Sequence, residues 1–440
     1  MNFQFIICHY SEIALKGRNR KLFEDKLVEN IKKAINPSFC KKIKRIEGRV
    51  LVELKDKYKE KEIEESLKNV FGLSSFSFAF LCEQKIEAMQ NKILETIKKE
   101  KPKSFKIFAK RSKKDFFLTS PEINEKIGAF ILQMVNGKLK IDKDKEKQMV
   151  PFDRLRATLS KGEASNGKLK NGKRALRRAR GNTSAALSTE LKVDLENPEL
   201  TCFIEIVQNY AFLYFKKIKA MGGLPVGISG KAVSLISGGI DSPVASFLAQ
   251  KRGIEIIFIH FHAYPFASKA SLEKVRKIIK VLNKYQFCSK LYLVPFAEIQ
   301  KEILLKTKSS LRVLFYRRFM FKISETIAQK EKAKVLITGE NIGQVASQTL
   351  ENIGVIEEAI ELPVLRPLIC YDKEEIINKA KEIGTFEISI LPHQDCCARF
   401  LPQNPETRAN LKEIKAEEEK LNSKKIIKEA ILKMNYLVLR

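Results

Sequence analysis

The sequence contains no tryptophan, only 8 cysteines among 440 residues, and no long hydrophobic run. Its longest apolar stretches fall far short of the roughly 18 to 20 residues that a membrane-spanning helix needs, so we expect no membrane contact. No basic segment precedes the apolar residues at the amino terminus, which argues against a signal peptide. Sparse cysteines without a CxxC pair exclude a disulfide scaffold and a common type of zinc site. These absences predict a cytoplasmic protein.

Acidic residues are also fewer than basic ones: the chain has 52 Asp and Glu and 82 Lys and Arg, which gives a formal charge of +30. A polyanion is a natural partner for such a chain, because side chains that neutralise phosphates release condensed counterions. A lysine-rich composition inherited from an AT-rich genome would give the same imbalance. Charge alone therefore leaves nucleic-acid binding and compositional bias equally open.

Three regions of different pattern divide the chain. Residues 1–60 read as strand, helix, strand and strand, and residues 61–220 as further α/β units that end in two strands joined across 196–200. Residues 221–440 alternate buried-type strands with helices, which predicts a parallel sheet covered on both faces. The sequence therefore predicts a multidomain protein of α/β and α+β class.

A basic segment interrupts the second region. Residues 161–181 hold eight Lys or Arg, one acidic residue and few large apolar residues. Such a segment buries too little to offset its ordering entropy, so we predict a mobile basic insertion over about 143–190. It would serve as an electrostatic arm for RNA or as a spacer without a role. We favour the spacer, because no aromatic residues interleave with the charges.

The stretch SLISGGIDSPVAS at 234–246 has the form of a phosphate-binding loop between a strand and a helix. Its polar and small residues are Ser237, Gly238, Gly239, Asp241 and Ser242. A Walker loop needs a lysine after its last glycine, but none follows before Lys251. Backbone amides at the helix start suit an anion, and Asp241 can hold Mg²⁺. This favours a grip on the pyrophosphate released from ATP; the alternative is a capped strand-to-helix turn.

The segment SGGIDSPVA resembles the PP-loop of the ATP pyrophosphatases. Together with residues 11–31, 336–353, 365–385 and 395–400, it resembles the tRNA 4-thiouridine synthetase (tRNA sulfurtransferase) family over nearly the whole chain. The resemblance implies a ferredoxin-like domain at 1–60, a THUMP RNA-binding domain at 61–220 and a PP-loop (adenine nucleotide alpha hydrolase-like) domain at 221–440. It also implies ATP and Mg²⁺. The implied reaction adenylates the C4 oxygen of the uridine at position 8 of tRNA and transfers persulfide sulfur to that carbon.

Site residues follow from the same resemblance. Asp241 is implied as the essential acid of the loop, and ATP contacts are implied for the other loop residues and for Leu235, Ile236, His260, Phe261, Arg317, Gly339 and Gln348. Three of these have simpler interpretations. His260 also fits a core-edge histidine, Arg317 a surface charge, and Gly339 a strand-end turn.

The cysteines at 396–397 provide the implied sulfur chemistry. Cys396 aligns with the catalytic cysteine of the family, Cys397 is a second thiol, and His393 and Arg399 are near enough in sequence to lower the pKa of Cys396. Cys370 is expected in the core. The chain resembles the short form without a rhodanese domain, so sulfur would come from a cysteine desulfurase, another persulfide donor or sulfide. Some relatives bind an iron–sulfur cluster through additional cysteines, but the segment FHAYPFASKAS at 261–271 has none, so we expect no cluster.

Two rival interpretations remain. One is another PP-loop tRNA-modifying ligase, which the family-like segment at 11–31 disfavours. The other is an RNA-binding protein without activity, which the intact candidate residues argue against. The resemblance leaves open a homodimer and a role in supplying sulfur for the thiazole of thiamine.

Overall fold

A computed structural model describes residues 3–112, 116–137, 190–264, 270–392 and 402–440. The chain divides into two compact units, one formed by Met1–Phe80 with Lys216–Arg440 and the other by Leu81–Phe215. Nearly all of the predicted insertion at 143–190 lies outside the described residues, as do Cys396, Cys397, His393 and Arg399. No helix in the described ranges is long and apolar enough to cross a membrane.

The amino-terminal part of the first unit is an antiparallel sheet with helices. Its elements are β1 (Phe5–His9), α1 (Arg20–Ala34), β2 (Cys40–Ile46), β3 (Arg49–Leu54), α2 (Glu60–Lys68) and β4 (Ser75–Cys82). The strand order is β2-β3-β1-β4. Leu27 and Ile31 lie one turn apart on α1, and both are fully buried in the core of this part. The predicted strand–helix–strand–strand order is confirmed, since its helical spacing places one face of α1 on the sheet.

In its described residues, the second unit is a mixed sheet with two helices. Its elements are α3 (Ile86–Glu100), β5 (Ser104–Arg111), α4 (Ser120–Asn136), β6 (Lys192–Val193), β7 (Leu200–Val207) and β8 (Tyr210–Tyr214). Strand β5 pairs in parallel with both β6 and β7, and β7 pairs antiparallel with β8. Helix α4 begins with a capping box, in which Thr119 and Glu122 satisfy each other's backbone amides.

The prediction that residues 196–200 join the last two strands of this region is wrong. Those residues connect β6 to β7, which lie on opposite sides of β5. The hairpin turns instead at Gln208 and Asn209, between the paired residues Val207 and Tyr210. Gln208 takes a φ of +52°, a conformation that two-residue hairpin turns require. In the sequence, Pro198 favours a turn more strongly than Gln208 and Asn209, which stand inside an apolar run.

The carboxyl-terminal part of the first unit is a six-stranded sheet covered by helices. The short strand β9 (Ile218–Lys219) pairs with β4 and precedes this sheet. The elements up to β13 are β10 (Lys231–Leu235), α5 (Asp241–Lys251), β11 (Glu255–His262), α6 (Ala270–Gln286), β12 (Ser289–Pro295), α7 (Ala297–Lys306), α8 (Arg312–Glu331) and β13 (Val335–Ile337). The remainder are α9 (Leu350–Glu357), β14 (Val364–Leu365), α10 (Lys373–Ile383), α11 (Phe386–Ser389), α12 (Leu411–Glu418), α13 (Ser423–Lys433) and β15 (Asn435–Leu439).

The order of this sheet is β14-β13-β10-β11-β12-β15. The first five strands are parallel, as the sequence predicts, and β15 pairs antiparallel with β12. The sequence analysis missed β15. From β10 the chain builds outward through β11 and β12 on one side, and later through β13 and β14 on the other. The carboxyl end of β10 is therefore the topological switch point, where ligands bind in open α/β sheets.

The two parts of the first unit are packed together at α5. Phe71, which is 1% exposed, lies with its ring centroid 5.4 Å from that of Phe247 and 5.2 Å from that of Tyr285. Arg252, just after α5, donates two hydrogen bonds to Glu12, of 2.9 and 2.7 Å. The helix that begins at the candidate loop is thus fixed at its other end by the amino-terminal part.

Candidate active site

The loop after β10 is held in shape by its own hydroxyl groups. The Ser237 amide donates to Ser242 Oγ at 2.9 Å, and the Gly239 amide donates to Ser237 Oγ at 3.2 Å. The Ile236 amide donates to the Ile259 carbonyl of the neighbouring strand at 2.9 Å. The conformation of the loop is therefore stabilised by its own hydrogen bonds. The loop places Asp241 at the first position of α5.

A cavity of about 430 Å³ opens at this edge of the sheet, a size typical of small-molecule sites. Its lining includes ten of the residues with an implied role, namely Leu235, Ile236, Ser237, Asp241, Ser242, His260, Phe261, Arg317, Gly339 and Gln348. Gly238 and Gly239 belong to the same loop but do not line the cavity. The structure thus brings the ends of β10, β11 and β13 together with Arg317 of α8.

Gly339 follows β13 and touches the start of α5. A Cβ atom at this position would lie 2.7 Å from the Ser242 nitrogen and 2.8 Å from the Asp241 carbonyl carbon. Both neighbours are backbone atoms, which cannot rotate away as a side chain can. Glycine is therefore needed here for close approach of two backbones.

Asp241 has two partners from distant parts of the chain that the sequence analysis missed. Lys373 Nζ donates to Asp241 Oδ1 at 2.6 Å, and Gln344 Nε2 donates to Oδ2 at 3.1 Å. Lys373 is the first residue of α10, where a lysine looks like a surface charge. One signal was available, because helices that follow parallel strands begin at the edge of the sheet where those strands end. Helix α10 thus places a lysine beside the aspartate of the loop.

His260 braces the loop from the neighbouring strand. It is 4% exposed; Nδ1 lies 3.0 Å from the Ile236 carbonyl oxygen and Nε2 lies 2.9 Å from Ser271 Oγ. A carbonyl only accepts, so Nδ1 carries a proton and donates, and in the neutral ring Nε2 accepts from the serine. Both nitrogens are engaged as in a core-edge histidine, while the ring also lines the cavity. Its implied contact with a nucleotide stays a prediction.

A buried carboxylate holds Arg317 at the cavity wall. Glu340, which is 1% exposed, lies with Oε1 3.3 Å from Arg317 Nη1. Its other oxygen accepts from Arg366 Nε at 2.8 Å and from Thr338 Oγ1 at 2.9 Å. The cluster orients the Arg317 guanidinium, so this residue is more than a surface charge. Sequence reasoning missed Glu340, which reads as one of many acidic loop residues.

Gln348 presents an unused acceptor. Its side chain is buried and lines the cavity, and its Oε1 has no hydrogen-bond partner among the described residues. Buried polar atoms without partners are rare and usually await a ligand or water. An amino group of a bound ligand, such as that of adenine, would satisfy this oxygen.

The described chain that follows residue 401 reaches the same cavity. Pro402 and Pro405 line it. The fully buried Asn352 fixes this returning chain, since its Nδ2 donates to the Glu406 carbonyl at 2.8 Å and its Oδ1 accepts from the Ala409 amide at 3.1 Å. Cys396 and Cys397 themselves lie outside the described residues, so their roles stay predictions.

The other cysteines differ in exposure. Cys370 is exposed, so its expected place in the core is wrong; it lies in the turn between β14 and α10 rather than on a strand. Cys8 and Cys202 are buried; burial raises the pKa of the Cys8 thiol, and it raises the pKa of Cys202 to about 12. Such thiols stay protonated and inert. Within the described ranges, no group of three or more His, Cys, Asp or Glu is placed to hold a metal ion.

A second cavity, of about 780 Å³, lies against α8, α9 and the last helices. Its charges are paired with each other. Arg318, which is 2% exposed, donates to Glu358 at 3.1 Å and to Glu418 at 2.7 Å, and Lys322 also pairs with Glu418. This network ties the carboxyl-terminal helices to α8 and is best understood as structural.

The parallel sheet with an SGGxDS loop at its switch point defines a PP-loop domain, and comparison with known proteins agrees. The family model described as thiamine biosynthesis protein (ThiI) matches residues 227–423. The model of the ThiI ferredoxin-like domain matches 5–77, and that of the THUMP domain matches 83–150. The fold class predicted from the sequence is confirmed.

Curated relatives match nearly the whole chain. A probable tRNA sulfurtransferase of Moorella thermoacetica is 36% identical over 98% of this chain and 97% of its own length. One of Alkaliphilus metalliredigens is 38% identical over 97% and 96%. The chain belongs to the tRNA sulfurtransferase family, so the family resemblance stated from the sequence is confirmed.

Two solved structures resemble the fold. One, described as a 4-thiouridine synthetase–RNA complex with bound ATP, superposes with a TM-score of 0.79 at 34% identity and covers 100% of both chains. The other, PH1313 from Pyrococcus horikoshii, superposes with a TM-score of 0.59 at 25% identity over 87% of this chain and 99% of its own.

Proposed function

We propose that this protein is an ATP-dependent tRNA sulfurtransferase that makes 4-thiouridine at position 8 of tRNA. The observation that carries the proposal is the cavity at the switch point, because one small space collects Asp241 and nine residues for which the family resemblance implies ATP contacts. The names of the curated relatives and the RNA- and ATP-bound structure support the same activity. We keep the division at 1–60, 61–220 and 221–440 as part of this proposal, with the first two parts binding tRNA.

In this proposal the nucleotide lies along the cavity. The adenine contacts the ends of β10 and β11 at Ile236 and Phe261, and Gln348 Oε1 accepts from its amino group. The triphosphate faces the loop and the start of α5, where Lys373 offsets its charge. Asp241 suits Mg²⁺, since this ion needs only one or two carboxylates when phosphates supply other ligands. When bound, the ion would neutralise charge on the phosphate oxygens.

The first chemical step activates uridine. Its C4 oxygen attacks the α-phosphorus of ATP, the N3 proton is lost to solvent, and pyrophosphate leaves, which yields a C4–O–AMP intermediate. Loop amides, Lys373 and Arg317 stabilise charge that builds on the phosphates in the transition state. The loop itself has no lysine like that of a Walker loop, and this favours cleavage between the α- and β-phosphates.

The second step delivers sulfur. The terminal sulfur of a Cys396 persulfide attacks C4, the C4–O bond breaks, and AMP leaves. A thiolate, either Cys397 or an external thiol, then attacks the Cys396 sulfur, breaks the S–S bond and forms a disulfide with Cys396. The released base takes back a proton at N3 as 4-thiouridine, and a dithiol reduces the enzyme. Pro402 and Pro405 line the cavity, and Ser389 contacts the candidate loop at the Gly239 carbonyl, which supports a cysteine between them acting there.

Partners follow from this chemistry. The substrate is tRNA, and the sulfur comes from a cysteine desulfurase or another persulfide donor. A homodimer and a role in sulfur supply for the thiamine thiazole are further parts of the proposal, the second supported by the name of the matching family model. A cytoplasmic location and the expected lack of an iron–sulfur cluster stay predictions.

The experiment incubates the full chain with a tRNA transcript, ATP, cysteine and a cysteine desulfurase. Two signals are followed, pyrophosphate release and the near-ultraviolet absorbance of 4-thiouridine. The proposal expects both, and it expects both to require tRNA with uridine at position 8. A protein that binds tRNA but releases no pyrophosphate would be an RNA-binding protein without activity, and pyrophosphate release without thiouridine would indicate another PP-loop ligase.

A further inference from the structure

Lys274 is a buried lysine outside the candidate cavity. It lies on α6 and is only 5% exposed. Its Nζ donates to the Ser389 carbonyl and to the Leu391 carbonyl, both at 2.7 Å. Burying an ammonium group is costly unless strong partners satisfy it, and hydrogen bonds from a charged donor are among the strongest. The chain at 389–391 is therefore held firmly against α6.

The same anchor reaches the candidate loop. Ser389 Oγ donates to the Gly239 carbonyl at 3.2 Å, so the order of contacts is Lys274, Ser389 and Gly239. Lys274 does not line the cavity. It thus reaches the nucleotide loop through Ser389, while it contacts the Leu391 carbonyl directly.

Leu391 stands five residues before Cys396 in the sequence. Five residues span at most about 18 Å when fully extended. An anchor at Leu391 therefore limits how far that cysteine can lie from the loop, whatever path the chain takes. The anchor of Asn352 on the chain after 401 acts from the other side.

We propose that Lys274 is a positioning residue for sulfur transfer, which anchors residues 389–391, shortly before Cys396 in the sequence, beside the nucleotide loop. The inference rests on the proposed function. Without the ammonium, the carbonyls of Ser389 and Leu391 lose their partner and this chain loosens. Adenylation of uridine needs the cavity alone and continues, while attack by the persulfide on C4 becomes slow.

The test compares Lys274→Met with Lys277→Met, which removes an exposed lysine from the same helix. Each full-length protein is charged with inorganic polysulfide and mixed with ATP and tRNA transcript in a single turnover. Pyrophosphate and 4-thiouridine are measured in the same sample. We expect K274M to release pyrophosphate within about 3-fold of wild type but to form 4-thiouridine about 10- to 100-fold more slowly, since small misplacements of reacting groups have effects of this size. K277M should match wild type in both signals.

Lys274→Arg is a second variant that tests the proposal if K274M folds poorly. Arginine keeps a charged donor, so its ratio of thiouridine to pyrophosphate should lie between those of wild type and K274M. A parallel fall of both signals in K274M and K274R, or no change in the ratio in either, would overturn the positioning role. If wild type itself forms no 4-thiouridine under these conditions, it is the proposed function that fails.

Discussion

The ammonium group of Lys373 lies 2.6 Å from Asp241 Oδ1, although the two residues stand 132 positions apart in the chain. The side chain of Asp241 is 24% exposed and that of Lys373 45%. An ion pair this open is worth little to folding, about 1 kcal/mol at most. Because Asp241 lines the cavity, the pair suggests a role toward phosphate, in which the aspartate binds a metal ion and the lysine binds the nucleotide.

Replacement of Lys373 by methionine should therefore damage catalysis far more than stability. We expect pyrophosphate release to fall by about 100- to 1000-fold, the usual effect of removing one group that stabilises transition-state charge. Lys379→Met is the matched control, because this lysine lies on the same helix and pairs only with its neighbour Glu382. Equal activity of the two variants would show that Lys373 does not act on the phosphates.

Replacement of Gly339 by alanine should displace the start of α5. The new Cβ would meet backbone atoms of Asp241 and Ser242 at under 3 Å, so the loop must shift. We expect loss of nucleotide binding, measured by calorimetry. Gly354→Ala is the control, since this exposed helical glycine has open space around it. That change should leave binding intact and stabilise the protein by up to about 1 kcal/mol. Normal binding by G339A would contradict the close approach of the two backbones.

The pair of Glu12 and Arg252 should give a stability that depends on pH. Two hydrogen bonds from Arg252 hold the pKa of Glu12 below its ordinary value of 4.5. A depressed pKa means that the contribution is present above pH 4.5 and is lost as pH falls through the folded-state value. We expect Glu12→Gln to lower the free energy of unfolding by about 0.5 to 1 kcal/mol at neutral pH, because both groups are partly exposed.

Urea denaturation of the Glu12→Gln variant at several pH values checks this. The difference from wild type should shrink toward zero well below pH 4.5. In an Arg252→Gln background, Glu12→Gln should have almost no further effect. A difference that stays constant with pH would rule out the pair as its source.

Phe71→Ala should weaken the packing between the two parts of the first unit. The ring is buried against Phe247 and Tyr285, and truncations of this kind remove about 3 to 5 kcal/mol of stability. Leu15→Ala, at a side chain that is 83% exposed, should change stability by less than about 0.5 kcal/mol. Similar urea midpoints for the two variants would contradict the importance of the aromatic contact.

The sequence predicted the parallel sheet and most of the cavity for one physical reason. Parallel strands end at the same edge of a sheet, so polar or small residues after β10, β11 and β13 had to meet there. Asp241, His260 and Gly339 follow this rule. The resemblance to a known family then assigned these residues a nucleotide.

The missed residues depend on contacts that no local pattern carries. Lys373 and Glu340 look like ordinary charges until the fold sets them beside Asp241 and Arg317. Strand β15 was missed because its five residues form only a short apolar run directly after a helix. Cys370 was misplaced because an apolar run before it suggested a strand that in fact ends at Leu365.

The most direct test of the account compares Cys396→Ala with wild type in the complete reaction, with tRNA, ATP, cysteine and a cysteine desulfurase. Cys370→Ala, at an exposed thiol of the same domain, serves as the control. The account predicts that C396A still releases pyrophosphate in the presence of tRNA but forms no 4-thiouridine, while C370A does both. Formation of 4-thiouridine by C396A at the wild-type rate would contradict it.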